Sequence, residues 1–500
     1  MRSPDERPAT AIYTATQVRE LDRRASAELG VPSLELMSRA GAEAFRFLRR
    51  RWPDARAIVV LCGAGNNAGD GLVLARHAKA AGFALRVLAV APPERLKGDA
   101  KRALDECVAA GIAIERFAAP EKQAGELIVV DALLGIGADR PLVGDFAAAV
   151  AAANAFGAPI LALDIPSGLH ADTGLPLGDA IRATATVTFV GLKQGLYLGR
   201  ACDFTGDIEL ADLGLPDDLA HGLEPALRRL ALRDLAQALP PRPRSAHKGT
   251  SGRLLLLGGG PGMSGAIRLA SEAALRVGAG LVYVAAHRDS AATVRNGRPE
   301  AIVYAVEAAS ELADLIELAD AAVVGPGLGQ SDWARACLAR VLDSGLPLVA
   351  DADALNMVAA APVPRGNWVI TPHPGEAARL LGSSAEQVES DRLASVRALA
   401  ARYDAVAVLK GPNTLVAAAD GPPAVCDRGN PGMASGGMGD VLAGTIGGLL
   451  VQTHDLAQSA RAGVLLHALA GDDAAAAGGQ RGTLAADLMP YLRRWANPNS

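Results

Sequence analysis

The segment AIVVLCGAGNNAGDGLVLARH (residues 57–77) decides the fold of the first half of the chain. It opens with an apolar, partly β-branched run, AIVVLC, which is typical of a strand buried on both faces of a sheet. Glycines then make a tight turn, and we expect a helix from Asp70 to about Ala81. A strand that turns sharply into a helix is the repeating unit of α/β domains built on a parallel sheet.

The same alternation of short apolar runs and helical patterns continues through the first half. Further strands are predicted in ALRVLAVA (84–91), ELIVVDALLG (126–135), PILALDIPSG (159–168) and ATVTFV (185–190). Alternating strands and helices imply a parallel sheet with helices on both faces. Ligands bind such sheets at the carboxyl ends of the strands, where most of these runs meet Gly, Pro, Asn or Asp.

The second half begins a new series of strands and therefore a second α/β domain. Its predicted strands are GRLLLLGGG (252–260), LVYVAA (281–286), AAVVGPGLG (321–329), LPLVADADAL (346–355), WVITPHPGE (368–376) and AVAVLKGPNT (405–414). The Pro- and Arg-rich segment PPRPRSAHKGT (240–250) is typical of a linker or of the entry to a domain. We place the boundary near residues 218–230 and the two domains at residues 13–217 and 226–498.

Composition and charge argue against several classes of partner. The 500 residues carry a net charge of −5, no block of like charge and 4% aromatic residues, which disfavours nucleic acid and anionic membrane surfaces. Five scattered cysteines without a CxxC pair indicate reduced thiols, and the charged N-terminus has no apolar signal region. The apolar run at 146–163 contains Asn, Gly and Pro and is predicted to be a buried helix followed by a strand. We expect a cytoplasmic homo-oligomer that acts on small molecules.

The turn GAGNNAGDG (residues 63–71) is the first candidate site. Free N–H groups at the start of a helix attract anions, and GxGxxG here would indicate a dinucleotide site. Asn66 and Asn67 interrupt that spacing, and Asp70 lies inside the turn. These side chains supply oxygens for a hard cation or for ligand hydroxyls. The alternative is a purely structural tight turn with a left-handed asparagine.

Three later strand ends bring further polar groups to the same edge of the sheet. They are VDALLGIGADRP (130–141), LDIPSGLHADTG (163–174) and FVGLKQGL (189–196). We expect four side chains to converge there, Asp131, Asp164, Ser167 and Lys193. Aspartates at strand ends often only cap the next helix, which is the structural alternative.

A different anion-binding device is predicted in the second half, in GNPGMASGGMGDVLAG (residues 429–444). Gly436, Gly437 and Gly439 let the backbone curl so that several N–H groups point at one spot at the start of a helix. Asp440 lies beside that spot and can accept the proton of an attacking hydroxyl group. A flexible glycine loop before a buried helix is the structural alternative. No GxxxxGK[ST] motif is present, which disfavours a P-loop.

The neighbouring strand ends fit a kinase-like site. LKGPNT (409–414) supplies a cation and a hydroxyl group, and VVGPGLG (323–329) allows close approach of the backbone. TPHPGE (371–376) holds His373 between two prolines, for either a structural or a catalytic role. DADALN (351–356) contributes carboxylates that bind magnesium, directly or through water, or merely cap a helix.

The first set of motifs, NNAGDG, VDALLGIG, LDIPSG and the later lysine, resembles the N-terminal domain of NAD(P)H-hydrate epimerase over about residues 13–216. The resemblance implies a Rossmann-like, doubly wound domain that interconverts the R and S forms of hydrated NADH and NADPH. It implies a potassium ion held by Asn67, Asp131 and Ser167. The hydrate-binding residues it implies are Asn66, Asn67, Ala68, Gly69, Asp70, Gly135, Ile136, Gly137, Ala138, Asp139, Arg140, Pro141 and Asp164.

The implied epimerisation needs one proton-transfer group. The hydrate carries a hydroxyl group on C6, and the lone pair of the adjacent ring nitrogen can expel it so that water returns on either face. A carboxyl group with a pKa near neutral suits the transfer of a proton to the departing oxygen. Asp164 is the first catalytic candidate. Lys193 is the second, or it neutralises a phosphate instead.

The second set, GPGLG, DADALN, TPHPGE, LKGPNT and GMGDVLAG, resembles the ribokinase-like superfamily and, more closely, NAD(P)H-hydrate dehydratase domains over about residues 247–492. The resemblance implies an α/β/α domain in which a nucleotide, with magnesium, phosphorylates the C6 hydroxyl group of the S hydrate. Loss of phosphate then regenerates NAD(P)H. Bacterial-type members use ADP, giving AMP and phosphate, and others use ATP; we expect ADP.

The residue roles in this domain also come from the resemblance. Asp440 is the expected catalytic base. The implied hydrate contacts are Ala266, Gly327, His373 and Asp440, and the implied nucleotide contacts are Lys410, Gly411, Pro412, Asn413, Thr414 and Gly439.

Two other interpretations of the chain are open at this point. A small-molecule kinase for a vitamin precursor or a sugar would share the glycine-rich anion hole but would leave NNAGDG and LDIPSG unexplained. A non-enzymatic scaffold built on inactive copies of both folds would carry damaged sites, yet Asp131, Asp164, Lys410 and Asp440 stand where the motifs need them.

Overall fold

The computed structural model describes residues 10–118 and 127–498, so the charged N-terminal segment and Glu126 lie outside the described residues. Its contacts divide the chain into two units, Met1–Leu227 and Arg228–Ser500. Each unit has a parallel or mostly parallel sheet with its own cores of buried side chains. The α/β architecture expected for both halves is confirmed.

The N-terminal unit is built on a parallel sheet of seven strands. The strands of this unit are β1 (Ala11–Tyr13), β2 (Ala57–Cys62), β3 (Ala84–Ala89), β4 (Ile114–Arg116), β5 (Leu127–Ala132), β6 (Ile160–Leu163), β7 (Ala185–Phe189), β8 (Leu192–Lys193) and β9 (Asp207–Ala211). The sheet runs in the order β4-β3-β2-β5-β6-β7-β9, and every pairing in it is parallel. β1 pairs with β8 outside this sheet, also in parallel.

Helices cover both faces of this sheet. They are α1 (Ala15–Glu28), α2 (Ser33–Arg51), α3 (Asn66–Ala80), α4 (Gly98–Ala109) and α5 (Asp145–Phe156). Alternate residues of β2 face opposite sides: Ile58 and Val60 join the core under α1 to α4, and Val59 and Leu61 join the core under α5. This two-sided burial explains the continuous apolar run that predicted the strand.

The helix after β2 begins earlier than the sequence analysis placed it. Gly65 has an extended backbone and caps a helix that starts at Asn66, not at Asp70. The N–H group of Ala68 already donates to the carbonyl oxygen of Gly65 at 3.1 Å. The expectation that Asp70 lies inside a turn was therefore wrong, because the asparagines form the first helical turn and Asp70 lies in the second.

The C-terminal unit has a larger, mixed sheet. Its strands are β10 (Leu227–Arg229), β11 (Arg253–Gly258), β12 (Leu281–His287), β13 (Ile302–Val306), β14 (Ala321–Val324), β15 (Leu348–Ala350), β16 (Trp368–Ile370), β17 (Val406–Leu409), β18 (Thr414–Ala417) and β19 (Ala424–Cys426). They run in the order β13-β12-β11-β14-β15-β16-β17-β18-β19-β10. All pairings are parallel except that β18 runs antiparallel to both neighbours. The six predicted strands are confirmed, whereas β10, β13, β18 and β19 were not predicted.

Helices pack on this sheet and on one another. They are α6 (Leu232–Ala238), α7 (Ser264–Arg276), α8 (Arg288–Gly297), α9 (Ala313–Leu318), α10 (Asp332–Leu342), α11 (Ala352–Ala360), α12 (Pro374–Leu381), α13 (Ala385–Ser390), α14 (Arg392–Tyr403), α15 (Met438–Thr453), α16 (Leu456–Gly478) and α17 (Met489–Trp495). α15 is buried along most of its length, which explains its nearly unbroken apolar sequence. Among the described residues, no helix combines the length and apolar character that crossing a bilayer requires. The run at 146–163 forms α5 and β6, as predicted.

Candidate active sites

A cavity of about 560 Å³ lies at the carboxyl ends of the N-terminal sheet strands. The predicted hydrate-binding residues that line it are Asn66, Asn67, Asp70, Gly135, Ile136, Gly137, Ala138 and Asp164, and both catalytic candidates, Asp164 and Lys193, line it as well. Five predicted positions are not among the lining residues. Ala68 and Gly69 are buried within α3, and Asp139, Arg140 and Pro141 are exposed beyond the cavity.

Asp164 and Lys193 form a fixed ion pair at the end of β6. The Lys193 ammonium group donates to Asp164 Oδ1 at 2.5 Å, to Thr188 Oγ1 at 2.9 Å and to the Phe189 carbonyl oxygen at 2.7 Å. The lysine side chain is only 1% exposed, so its three N–H groups have defined partners. Asp164 has a φ of 67°, a left-handed conformation that is uncommon for residues other than glycine. Strain of this kind at a ligand cavity is typical of functional residues.

Two further carboxyl groups face the same cavity. Burial raises the pKa of Asp22 to about 6. The positive charge of Lys193 opposes this rise, and the negative charge of Asp164 adds to it. Burial together with Asp164 and Asp22 raises the pKa of Asp70 well above its ordinary value. Asp22 comes from α1 and was missed by the sequence analysis, because it lies in an ordinary charged amphipathic helix that carries no motif.

The predicted potassium ligands are brought together beneath the cavity. Ser167 Oγ donates to Asp131 Oδ1 at 2.6 Å, and the N–H group of Ser167 donates to Asp131 Oδ2 at 2.8 Å. Asn67 Nδ2 donates at 2.9 Å to the carbonyl oxygen of Leu134, which is also 3.2 Å from Ser167 Oγ. Asn67 Oδ1 is buried without a hydrogen-bond partner. Burial raises the pKa of Asp131 to about 6, although bonds from Ser167 and Leu133 lower it.

These oxygens fit a cation. A buried amide oxygen without a donor and a buried carboxylate without a positive charge both gain from a positive ion. Neutral and carboxylate oxygens are also the ligands that hard cations take. Among the described residues, no cluster of three His, Cys, Asp or Glu side chains could hold a metal ion, so the donor set here depends on amide and hydroxyl oxygens.

In the C-terminal unit, the predicted anion hole lies at the start of α15. Gly437 caps the helix with a φ of 90°, and Met438 is the first helical residue. The first N–H groups of a helix have no partner within it and carry its positive dipole end. A Cβ atom on Gly439 would lie 3.2 Å from Lys410 Nζ and 3.5 Å from Asp351 Oδ2. Glycine at this position therefore lets the lysine approach the helix start closely.

Asp440 lies in the first turn of α15, beside an ion pair between Lys410 and Asp351 in which it takes no part. Lys410 Nζ lies 2.6 Å from Asp351 Oδ1 and 3.7 Å from Glu376 Oε2. Among the described residues, no cation lies within ion-pair distance of Asp440. Burial, reinforced by Asp351 and Asp353 and opposed by Lys410, raises the pKa of Asp440 to about 7. This carboxyl group is therefore poised to exchange a proton near neutral pH.

A buried arginine holds the predicted nucleotide loop that follows β17. Arg392 is 3% exposed, and its Nη2 donates to the carbonyl oxygens of Leu409 and Lys410 at 3.2 and 3.1 Å. Thr414 Oγ1 donates to the carbonyl oxygen of Gly411 at 2.9 Å and closes the loop. Sequence analysis missed Arg392, since a charged residue at the start of a helix is usually exposed.

The predicted hydrate contacts form a second side of this site. Gly327 has a φ of 58°, and a Cβ atom there would lie 3.1 Å from the Cβ atom of Ala266, so these two predicted residues adjoin. Asp353 Oδ2 accepts from the N–H group of Gly329 at 2.8 Å and fixes the GPGLG loop. A Cβ atom on Gly325 would overlap the carbonyl oxygen of Asp351, whose side chain pairs with Lys410 beside Gly439, so this loop adjoins the start of α15.

His373 combines a structural contact with an exposed ring. Its Nδ1 accepts from the N–H group of Gly375 at 3.0 Å and caps α12, while the side chain remains 52% exposed. Its Nε2 lies 3.6 Å from Glu376 Oε1, and the other oxygen of Glu376 faces Lys410. The histidine is therefore connected to the lysine through one carboxylate.

The glycine loop before α15 is anchored by the motif HALAGD (residues 467–472). Asp472 accepts from the N–H group of Gly429 and from Asn430 Nδ2, both at 3.0 Å. His467 is buried, its Nε2 has no hydrogen-bond partner, and burial lowers its pKa to about 4. Asp472 thus holds the start of the loop.

Comparison with known proteins agrees with this two-part layout. One family model, described as YjeF-related protein N-terminus, matches residues 33–195, and another, described as NAD(P)H-hydrate dehydratase, matches residues 254–494. A solved structure of a ribokinase-like superfamily protein from Enterococcus faecalis matches this chain with a TM-score of 0.51 and 32% sequence identity. The match covers 54% of this chain and 96% of that protein.

Curated relatives match nearly the whole chain. The bifunctional NAD(P)H-hydrate repair enzyme Nnr of Coxiella burnetii is 46% identical over 98% of this chain and 100% of its own length. The enzyme of the same name from Escherichia coli is 46% identical over 99% of this chain and 96% of its own. The chain therefore belongs to the family of bifunctional NAD(P)H-hydrate repair enzymes.

Proposed function

We propose that the chain repairs hydrated NADH and NADPH in two steps, one in each domain. The N-terminal domain, residues 13–217, interconverts the R and S hydrates. The C-terminal domain, residues 226–498, dehydrates the S hydrate and uses ADP as co-substrate. The observation that carries the proposal is the position of Asp440 in the first turn of α15, with no cation within ion-pair distance among the described residues, where burial raises its pKa to about 7.

Dehydration in this proposal is a phosphoryl transfer followed by an elimination. Asp440 accepts the proton of the C6 hydroxyl group as its oxygen attacks the β-phosphoryl group of ADP, and AMP departs. The main-chain N–H groups of Met438 and Gly439 stabilise the charge that develops on the phosphoryl oxygens. The ring nitrogen then expels phosphate, and loss of a proton from C5 restores the dihydronicotinamide ring.

The two substrates bind on different sides of the site, the nucleotide at the loop after β17 and the hydrate at the GPGLG loop and His373. Lys410, Gly411, Pro412, Asn413, Thr414 and Gly439 bind the adenine nucleotide, and Ala266, Gly327 and His373 contact the hydrate. Magnesium is usually held by one or two carboxylates together with substrate phosphates. Asp351 and Asp353 are the carboxylates that would hold it here, and the ion would neutralise the phosphates of ADP.

Epimerisation in this proposal uses the cavity of the N-terminal domain. Asn66, Asn67, Ala68, Gly69, Asp70 and the loop at residues 135–141 bind the hydrate, and Asp164 exchanges a proton with the oxygen atom that leaves or joins C6. Lys193 fixes the orientation of Asp164 through its short contact. Asn67, Asp131 and Ser167 would hold a potassium ion, which would supply the positive charge that Asn67 Oδ1 and Asp131 lack.

The experiment that tests the proposal is recovery of NADH from its purified hydrates. With magnesium and ADP, we expect the S hydrate to regain the near-ultraviolet absorbance of NADH and the R hydrate to follow after epimerisation. Parallel reactions with ATP measure the choice of nucleotide. No recovery with either nucleotide would refute the dehydratase assignment, and phosphorylation of a vitamin precursor or a sugar instead would favour the kinase interpretation.

A further inference from the structure

The cavity of the N-terminal domain holds more acidic groups than one proton transfer requires. The charged side chains that line it are Arg19, Asp22, Asp70, Asp164 and Lys193. The ammonium group of Lys193 donates its hydrogen bonds to Asp164, Thr188 and Phe189. Arg19 donates to the carbonyl oxygen of Ile136 at 3.0 Å. Among the described residues, Asp22 has no cation within ion-pair distance, although it shares the cavity with the Asp164–Lys193 pair.

Asp22 occupies a costly position on α1. Val18, Leu21 and Ala25 form the buried face of this helix, and Asp22 lies four residues after Val18, at the border of that face. A partly buried carboxyl group without a cation destabilises the fold, since desolvation disfavours its charged form. A carboxyl group in a cleft that is perturbed both by burial and by a neighbouring charge is a candidate for function.

The two carboxyl groups have different surroundings. Asp164 accepts a short hydrogen bond from an ammonium group and reaches the cavity from the end of β6. Asp22 reaches it from α1, and its pKa of about 6 leaves it protonated in slightly acidic solution. Neighbouring carboxyl groups whose environments differ in this way commonly divide the roles of acid and base between them.

We propose that Asp22 is a second proton-transfer group of this cavity, donating to the departing C6 hydroxyl while Asp164 receives the proton of the incoming water. This inference rests on the proposed epimerisation. The C6–O bond breaks as the ring nitrogen lone pair forms the N1–C6 double bond, and the proton of Asp22 leaves with the oxygen as water. Water then adds to the opposite face of C6, its proton passes to Asp164, and exchange with solvent restores both groups. In the reverse direction the two residues exchange roles.

The test is Asp22→Asn in the full chain, assayed separately with the R and the S hydrate. General acid catalysis contributes about 10²–10⁴-fold, so we expect kcat for epimerisation to fall by at least about 100-fold with little change in KM. ADP-dependent consumption of the S hydrate should be unchanged because it belongs to the other domain, and an unchanged urea unfolding transition of the N-terminal domain shows that the variant folds. Asp22→Glu should recover part of the rate, and Glu28→Gln, an exposed acidic residue of the same helix, should behave as wild type.

The pH profile separates proton transfer from a structural role. For the wild type, kcat for epimerisation should fall as the pH rises through about 6, as Asp22 loses its proton, and the Asn variant should lack this inflection. A raised KM with normal kcat, or an unchanged rate, in the Asn variant would overturn the assignment. Wild-type protein that dehydrates the S hydrate but does not interconvert the hydrates would overturn the epimerase proposal and this inference with it.

Discussion

Each candidate site contains a candidate catalytic aspartate, and the two aspartates differ in whether a cation is paired with them. Asp164 is held by Lys193 at 2.5 Å, in a left-handed backbone conformation at the end of a strand. Asp440 has a lysine nearby as well, but Lys410 lies 2.6 Å from Asp351 instead. The first carboxylate is thus fixed by a cation, whereas the second is left without one and its pKa rises to about 7. The difference arises because Asp351 pairs with the lysine of the second site.

The difference matches the charge that each proposed reaction develops. Phosphoryl transfer brings phosphate oxygens to the start of α15, so the negative charge is balanced by main-chain N–H groups and the base must be able to accept a proton. Epimerisation involves no phosphoryl group, and a carboxylate whose position is fixed by an ammonium group suffices to accept a proton from water. The residue type is the same, and the surroundings determine its role.

The largest effect is expected from Asp440→Asn, which removes the proposed base without changing the size of the side chain. Loss of general base catalysis should lower kcat for dehydration by about 10²–10⁴-fold. Epimerisation of the R hydrate should continue, because it belongs to the other domain. The measurement is NADH absorbance for dehydration and chromatographic separation of the hydrates for epimerisation. A variant that retained most of its dehydratase activity would show that Asp440 is not the base.

Asp164→Asn should have the second largest effect. It should lower epimerisation and leave dehydration intact, the reverse of Asp440→Asn. Asparagine tolerates the left-handed conformation, so the backbone at φ 67° should remain while the proton acceptor is lost. We expect epimerisation to fall by about 100-fold or more, with the S hydrate still consumed and the R hydrate persisting. Loss of both activities would instead indicate structural damage. Lys193→Met is the matched test of the pair, and it should lower epimerisation less than Asp164→Asn does.

The comparison also shows what could be predicted from the sequence. The motif residues lie at strand ends and helix starts, where backbone geometry brings distant segments to one edge of a sheet. The sequence analysis predicted in this way that Asp131, Asp164, Ser167 and Lys193 converge, and the glycines before Asp440 indicated the start of a helix. Both inferences follow from local sequence together with the geometry of parallel sheets.

The rest depends on tertiary packing that no local pattern encodes. Asp22 and Arg392 lie on helices with ordinary charged sequences, and only the folded chain brings them to a cavity or beneath a loop. The partner of Lys410 was not predictable either, since Asp351 lies 59 residues away and equally fits a helix cap. The start of α3 was placed four residues late because Asn and Asp are typical of turns as well as of first helical turns.

Lys410→Met should sharpen the comparison by removing the cation from Asp351. That carboxylate is 2% exposed, and breaking a buried pair on one side typically costs about 3–5 kcal/mol, of which we expect about 3 here because Lys410 is partly exposed. Urea unfolding of the C-terminal transition measures this loss. The double variant Asp351→Asn, Lys410→Met should recover much of it, because no buried charge then lacks a partner. Equal losses in the single and the double variant would contradict a stabilising pair.

The smallest expected effect is the pH dependence of stability that Asp440 contributes. Its folded pKa of about 7 lies above the ordinary value of 3.8, so the folded chain binds the proton more tightly than the unfolded chain. The wild type should therefore lose stability as the pH rises from about 4 to about 7 and stay level above that, whereas Asp440→Asn should lack this loss. Allowing for partial exposure, we expect the variant to be more stable by about 2 kcal/mol at pH 8 and equal to the wild type near pH 4. Asp420→Asn, at an exposed turn, is the control and should shift neither value. A difference of the opposite sign would mean that Asp440 is paired with a cation in solution, and the contrast with Asp164 would then be wrong.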